Sequence, residues 1–180
     1  MLRILFANRS LPQHIAQIHH APEVYRPATC PYCGLAGLWQ HGCYERKADR
    51  SGAAADVTFN PVSICRFICQ GCWHTCSRLP LCIAPRRWYD WAIQQRVLQW
   101  LLAELSQCQV SERARLDRRT VRRWWEWLES CTETFSFHLR SRFPELGRAG
   151  DDWKAFWRTC FSQMPLSDAM AWIDRVLTVP

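Results

Sequence analysis

Apolar residues recur at helical spacing through the second half of the chain. Five of them predict an amphipathic helix over about 90–104: Val97, Leu98, Leu101, Leu102 and Leu105. A short polar helix over 106–114 comes next, and a turn at Arg115 and Leu116 separates it from a helix over 118–129 that Asp117 caps. These three helices come in the order of a helix-turn-helix unit.

The pattern stays helical after residue 130. Two stripes predict two further helices, one from Trp153, Phe156, Trp157, Cys160 and Phe161 and one from Leu166, Ala169, Met170, Ile173 and Leu177. Asp151 or Asp152 would cap the first of them. The remaining acids, Asp168 and Asp174, we interpret as capping residues or as residues of solvated faces.

The first half of the chain shows shorter runs. Residues 2–6 predict a short strand, and the run 14–20 a helix with Ser10 or Leu11 at its start and Pro12 in its first turn. Between residues 28 and 84 the β-like runs 38–41 and 63–68 flank a polar stretch, 45–60, that we interpret as a hairpin loop.

These elements predict an α+β fold, mainly α. We expect four segments along the chain: an N-terminal segment 1–27, a small β ribbon 28–84, a helix-turn-helix unit 85–130 of three helices, and a helical, tryptophan-rich tail 131–180.

Charge and cysteine content narrow the classes of function. The chain of 180 residues carries a formal net charge of +7, which favours a polyanionic partner. Its eleven cysteines do not suggest a disulfide scaffold, because the chain is long and its start lacks the features of a signal peptide. No stretch reaches the roughly 18 apolar residues that cross a bilayer. We therefore expect a cytoplasmic protein, associated with the bacterial nucleoid, with reduced thiols and no membrane partner.

Two C-x-x-C pairs predict a metal site. Cys30 and Cys33 are followed by Gly34, and Cys69 and Cys72 enclose Gly71, so each pair forms a tight turn that holds one ion between two thiolates. Four soft ligands complete a tetrahedral Zn²⁺ site without an open position, so the zinc is structural. The 35 residues between Cys33 and Cys69 exceed the usual interval of about 15 to 20, and the loop 45–60 accounts for the excess.

Other assignments for these cysteines stay open. A thioredoxin-like redox pair would require a β-α-β context and only one of the two C-x-x-C motifs. Further side chains could replace a ligand, although each is better explained as a small buried group or a surface imidazole: Cys43, Cys65, Cys76, Cys82, His41 and His74.

An arginine-rich helix predicts the nucleic-acid contact. Val121, Trp124, Trp125 and Leu128 share one face of the helix that begins after Asp117, and the arginines of its first turns are left outside. The first two turns of the second helix of a helix-turn-helix enter the major groove. We expect DNA contacts from Arg86, Arg87, Arg115, Arg118, Arg119, Thr120, Arg122 and Arg123.

The charge balance supports this interpretation over that of a solvated helix face. From Arg86 to Arg123 the chain has nine arginines against four acids, a local net charge of +5, so few acids are present to pair with the arginines. Arg86 and Arg87, in the joint before the first helix, resemble a basic arm that reaches the backbone or the minor groove.

The order and wording of these motifs resemble a known family. The start Cys-Pro-Tyr-Cys-Gly at Cys30 and the end Arg-Phe-Ile-Cys-Gln-Gly-Cys-Trp-His-Thr-Cys-Ser at Arg66 are similar to the zinc ribbon of bacterial insertion-sequence transposases. The segment 105–124 is similar to the helix-turn-helix that follows that ribbon. The resemblance, which covers about 28–130, implies recognition of duplex DNA and no catalytic role, since the fifty residues after 130 leave no room for a two-metal carboxylate site.

Two functions compete on this evidence. The first is a transposase-like accessory or regulatory factor, or a truncated transposase, that is not an enzyme and binds duplex DNA but no small-molecule substrate. The second is an adaptor that recruits a transposase, other nucleic-acid machinery or a second copy of itself through the ribbon and the C-terminal helices. A nuclease would require clustered carboxylates or histidines, and RNA in place of DNA remains a further alternative for the ribbon.

Overall fold

The chain folds into two compact units. A computed structural model describes residues 3–47, 61–85, 89–148, 152–177 and 179. Contacts group residues 1–90 and 174–180 in one unit and residues 91–173 in the other. Over the described residues there are six α-helices, two 3-10 helices and five short strands, which confirms the predicted α+β, mainly α class.

A three-stranded antiparallel sheet lies at the centre of the first unit. In order of pairing its strands are β2 (Trp39–Arg46), β3 (Val62–Ile68) and β4 (Thr75–Cys76). The predicted β-like runs 38–41 and 63–68 overlap β2 and β3, with residue 38 directly before β2. Of the predicted hairpin loop, Glu45 and Arg46 belong to β2, because the ladder continues to the pair Arg46–Val62, and residues 48–60 lie outside the described residues.

The sheet is anchored by its middle strand. Val62, Ile64, Cys65 and Phe67 of β3 are buried, whereas most side chains of β2 are exposed. The register places Trp39 opposite Ile68. The chain segment before β2 therefore lies beside the segment after β3, and these two segments carry the two cysteine pairs.

The N-terminal segment packs within the same unit. Helix α1 (Leu11–His20) is capped by Ser10, one of the two predicted caps, with Pro12 in its first turn and a capping box between Ser10 and Gln13. A 3-10 helix follows at Pro22–Tyr25, and the short strand β1 (Ile4–Leu5) pairs in parallel with β5 (Leu79–Pro80).

Asp174 corrects the prediction for the C-terminal acids. It is fully buried and its Oδ2 atom accepts hydrogen bonds from the backbone amides of Arg3 (2.5 Å) and Ile4 (2.8 Å). The carboxylate satisfies amides at the start of β1, so it is neither a cap nor a solvated residue. Burial raises the pKa of this carboxyl by desolvation.

The second unit is helical. Its elements in chain order are α2 (Trp91–Leu102), α3 (Gln107–Ala114), α4 (Arg118–Arg142), a 3-10 helix (Pro144–Arg148), α5 (Trp153–Gln163) and α6 (Leu166–Val176), the last residues of which are grouped with the first unit. Ser106, Asp117 and Asp152 cap α3, α4 and α5 through their side chains. Asp151, the other predicted cap of α5, lies outside the described residues.

Helix α4 is twice as long as predicted. It continues past Glu129 to Arg142, and so runs across the expected segment boundary at residue 130. Its buried face continues with Thr132, Phe135 and Leu139 at helical spacing. Thr132 accepts a hydrogen bond from Trp157 Nε1 of α5 at 2.9 Å. The extension is therefore stabilised by packing inside this unit.

Candidate metal centre and nucleic-acid interface

The two C-x-x-C pairs adopt the same backbone turn. In the first, the amide of Gly34 donates to the carbonyl of Cys30 (2.8 Å) and the amide of Cys30 to that of Leu35 (2.7 Å). In the second, the amide of Trp73 donates to Cys69 (2.9 Å) and that of Cys69 to His74 (3.0 Å). Each turn directs two thiols to the same side of the chain.

The four predicted ligands form one cluster. The Sγ atoms of Cys30, Cys33, Cys69 and Cys72 all lie within 4.8 Å of one another. The closest pairs join the two turns, with Cys30 to Cys72 at 3.6 Å and Cys33 to Cys69 at 3.5 Å. A tetrahedral ion with sulfur at about 2.3 Å places its ligands about 3.8 Å apart, so the four thiols fit a metal ion of that size.

The thiols are not oxidised to disulfides. All eleven cysteines lie among the described residues and are free. The sulfur separations in the cluster exceed the roughly 2.05 Å of a disulfide by more than an ångström. Cys30 and Cys33 lie in a turn before β2, without the β-α-β context of a thioredoxin-like pair.

The thiols of the cluster do not ionise equally. Burial opposes ionisation of Cys30, but hydrogen bonds from the amides of Cys33 and Tyr32 lower the pKa of its thiol to about 6. The amide of His74 favours ionisation of Cys72, but burial and the three neighbouring thiols raise its pKa to about 12. Four thiolates at this spacing repel one another, and a bound cation removes that repulsion.

The alternative ligands stay outside the cluster. Among the described residues the metal-ligating group contains only the four predicted cysteines, and none of the six alternatives, His41, Cys43, Cys65, His74, Cys76 and Cys82, joins it. Cys43 and Cys65 instead face each other across β2 and β3 with 3.9 Å between their sulfurs. His74 Nδ1 donates to the carbonyl of Cys72 at 3.0 Å.

The glycines of the two turns have different roles. Gly34 takes a left-handed conformation with φ +76°, as predicted for a glycine that closes the turn. The equivalent residue of the second turn is Trp73, with φ +58°. Gly71 does not supply this conformation. A Cβ atom at Gly71 would lie 2.9 Å from Leu35 Cδ2, so glycine permits the close approach of the two turns.

Helices α3 and α4 are joined by a tight three-residue turn. Arg115 adopts the left-handed conformation with φ +53° and ends α3. Leu116 is buried, and its carbonyl accepts a hydrogen bond from Ser111 Oγ at 2.6 Å. Asp117 then caps α4 by accepting from the amide of Arg119 at 2.7 Å. A turn of this length with a left-handed residue is typical of helix-turn-helix units.

The face of α4 that packs inside the unit is the predicted one. Val121, Trp124 and Leu128 are buried together with Val110 of α3, whereas Trp125 is half-buried. Leu98, Leu101 and Leu102 of α2 complete this apolar core. Because three helices share it, the first two turns of α4 are held in a fixed orientation within this unit.

The predicted arginines lie on the opposite face of α4. Arg118, Arg119, Arg122 and Arg123 are all exposed, as is Arg115 in the turn, while Thr120 is half-buried. Arg122 pairs with Glu126 at 3.4 Å, and both side chains are exposed. Arg118, Arg119 and Arg123 have no acidic partner in the described part of the chain. Arg86 and Arg87, the predicted basic arm, lie outside the described residues.

Sequence reasoning missed a set of exposed aromatic groups on the ribbon. Tyr32, Trp39 and Trp73 are 56%, 63% and 72% exposed, although tryptophan and tyrosine usually bury most of their rings. Tyr32 stacks on His74, with ring centroids 4.5 Å apart and an angle of 26° between the planes. Trp73 differs from the core tryptophans in its left-handed backbone conformation, and no sequence pattern predicts that conformation.

Comparisons with known proteins identify the family and no activity. No helix in the described part of the chain is long and apolar enough to span a bilayer. Searches of the curated proteins and of the solved structures found no match. The family model of a domain of unknown function, DUF6431, matches residues 30–124, which run from the first cysteine of the cluster to the packed face of α4. Since this match covers more than half of the chain, the protein belongs to the DUF6431 family.

Proposed function

We propose that this protein binds duplex DNA through the first two turns of α4 and acts as a transposase-like accessory or regulatory factor. The observation that carries the proposal is the arginine face of α4 after a tight helix-turn-helix turn. Arg118, Arg119 and Arg123 lack acidic partners among the described residues, so their charges are available to phosphates and guanine edges. The resemblance of residues 28–130 to transposase DNA-binding modules supports the same partner.

We further propose that the cysteine cluster binds one Zn²⁺ ion with a structural role. Residues Cys30, Cys33, Cys69 and Cys72 would hold it, and four thiolates leave no coordination position for a substrate. When bound, the ion supplies charge compensation and a cross-link between the two turns. The proposal assigns no chemical step to the metal.

A salt titration of duplex binding tests the proposal. The double variant Arg119→Ala/Arg122→Ala should weaken binding of a duplex selected from a random pool about tenfold or more at moderate salt. The slope of log affinity against log salt should fall by about 1.8, because each lost phosphate contact removes about 0.9. Arg96→Ala/Arg148→Ala removes the same charge from exposed positions of the same unit and should change both quantities little.

Equal weakening of duplex binding by both double variants would contradict the proposal. Such a result would mean that the duplex responds to net charge and not to the face of α4. That result would favour the adaptor hypothesis. This hypothesis also requires an exposed apolar patch on the C-terminal helices. In the described residues after 130, the exposed large apolar side chains are Phe137 and Val176, which belong to different units.

A further inference from the structure

A pocket of about 540 Å³ opens beside the cysteine turns of the first unit. This volume is in the range of sites that hold a small molecule or a nucleotide. The side chains able to bind a ligand in its lining are two guanidinium groups, three hydroxyl groups and one phenol: Arg3, Arg78, Thr29, Thr75, Ser77 and Tyr32. Donors dominate this set, so the pocket favours an anionic group.

Arg78 is the strongest indication of an anion. Its Nε atom is buried and has no hydrogen-bond partner. Burial lowers the pKa of Arg78, although the nearby carboxylate of Asp174 opposes that shift. Arg78 also lines the pocket, so its guanidinium group offers charged donors to a phosphate bound there.

The exposed aromatic side chains of the two cysteine turns, of which Tyr32 lines the pocket, favour a base. Tyr32 lines the pocket, has one ring face against His74 and keeps 56% of its surface exposed. Its second face is open to a stacking partner. Trp73, next to His74 in the chain, is 72% exposed in a left-handed conformation that glycine adopts without strain. A strained, exposed tryptophan where the first turn has Gly34 points to a function for its ring.

We propose that the ribbon carries a second nucleic-acid site, for an unpaired nucleotide. A base stacks on Tyr32 and Trp73, and a phosphate of the same strand binds Arg78 and the hydroxyls of the pocket. The bases of a duplex are stacked on one another, so this site distinguishes single strands from duplex DNA. The inference rests on the proposed function only for the class of partner, since all its residues belong to the first unit and α4 to the second.

The test is fluorescence anisotropy with the full, zinc-loaded chain and two probes, a labelled twelve-residue oligothymidylate and the selected duplex. Tyr32→Ala and Trp73→Gly should each weaken binding of the single strand about fivefold or more, the low end of the effect of a stacking ring. Tyr32→Phe keeps the ring and should stay within about twofold of the parent. Arg78→Gln should weaken the single strand and reduce its salt slope by about 0.7.

Two controls match these variants. Arg26→Gln removes an exposed, Glu23-paired charge of the same unit outside the pocket, and Phe137→Ala removes an exposed aromatic ring of the other unit. Neither should change single-strand binding more than about twofold. Zinc content is measured for every variant, and Tyr32→Leu replaces Tyr32→Ala should the alanine variant lose its metal.

The two proposals fail in different ways. Unchanged single-strand binding in Tyr32→Ala and Trp73→Gly overturns the second site, whether or not the duplex binds. Loss of duplex binding in Arg119→Ala/Arg122→Ala together with intact, Tyr32-dependent single-strand binding supports both sites as separate. Weaker single-strand binding in Arg78→Gln without any effect of Tyr32→Ala or Trp73→Gly identifies an anion pocket only and also overturns the inference. A parent chain that binds neither probe, with the aromatic face instead involved in self-association, overturns both proposals.

Discussion

At the scale of single residues, the position after each cysteine pair has a left-handed backbone conformation, which favours glycine unless the side chain has a role of its own. Gly34 meets the need at one turn, whereas Trp73 occupies the same position at the other with φ +58°. A non-glycine residue in this conformation costs about 1 to 2 kcal/mol of stability. Replacing it by glycine removes that cost, but about 0.5 to 1 kcal/mol of the gain is lost because glycine makes the unfolded chain more flexible. Natural selection for stability alone would favour glycine at both turns.

Trp73→Gly is therefore expected to leave the free energy of unfolding unchanged or to raise it by up to about 1 kcal/mol. The matched variant Trp39→Gly removes an equally exposed tryptophan from β2, where glycine weakens a strand, and should lower that free energy by about 1 kcal/mol. Urea denaturation of the zinc-loaded proteins measures both. Equal losses in the two variants would show that the conformation of Trp73 carries no strain.

His14 predicts a pH dependence of stability. It is fully buried, accepts from Tyr25 Oη at Nδ1 (2.6 Å) and donates from Nε2 to the carbonyl of Ser63 (2.9 Å). Desolvation lowers its pKa below the usual 6.5, against the opposing hydrogen bond to Ser63. The folded state thus prefers the neutral ring. The stability that this ring contributes is fully present above pH 6.5. It declines at lower pH, because the unfolded chain binds the proton more readily than the folded chain does.

Urea denaturation between pH 7.5 and 5.5 checks this expectation. The parent should lose up to about 1.4 kcal/mol per pH unit below 6.5 relative to His14→Gln, which does not titrate there. The comparison between the two proteins cancels the pH dependence of the thiols, which both proteins share. Parallel curves for the two proteins would mean that His14 has the same pKa in the folded and the unfolded chain.

At the scale of elements, local capping chemistry explains which boundaries the sequence predicts. Ser10, Ser106, Asp117 and Asp152 each bond to a backbone amide of the helix that they precede, and such side chains are recognisable without any tertiary context. The continuation of α4 to Arg142 was not predicted, although no glycine or proline marks the boundary expected at residue 129, because the burial of Phe135 and Leu139 depends on partners distant in sequence.

The same distinction applies to the candidate sites. The spacing of Cys30, Cys33, Cys69 and Cys72 predicts the cluster because one metal ion requires that pattern locally, whatever the length of the intervening hairpin. The burial of Asp174 against β1 could not be predicted, because it depends on a contact across 170 positions of the chain. The exposure of the Tyr32 and Trp73 rings was not predicted, because aromatic residues are expected in a core.

The cap of α4 allows stability and DNA affinity to be separated. Asp117→Asn keeps a good N-cap and removes a negative charge beside the arginine face, so the free energy of unfolding should change little while duplex affinity rises a few-fold. Asp117→Ala also removes the charge but loses the hydrogen bond to Arg119, and should cost about 1 kcal/mol of stability. Thermal denaturation and duplex anisotropy are measured on both. A fall in affinity for Asp117→Asn would contradict the placement of the phosphate backbone near this helix start.

At the scale of the whole molecule, the division into two units assigns the two proposed nucleic-acid sites to separately packed cores. In the first unit, the cysteine cluster links the two cysteine turns. In the second unit, the buried faces of α2, α3 and α4 form the core. Small β modules with little apolar core depend on such a cross-link, whereas a helical core of this kind does not. The metal should therefore control the stability of one unit and not that of the other.

Removal of the metal tests this dependence. Incubation of the full chain with a zinc chelator should sharply raise amide hydrogen exchange in residues 28–47 and 61–84, because the ordered turns lose their cross-link. Residues 107–142 should stay protected, since their hydrogen bonds and apolar contacts belong to the other unit. Cys30→Ser should reproduce the effect without chelator and bind less than one zinc per chain, while Cys108→Ser, at an exposed thiol of α3, should behave like the parent. Uniform loss of protection along the chain would show that the metal stabilises the whole molecule, and unchanged exchange in the ribbon would remove the structural role proposed for zinc.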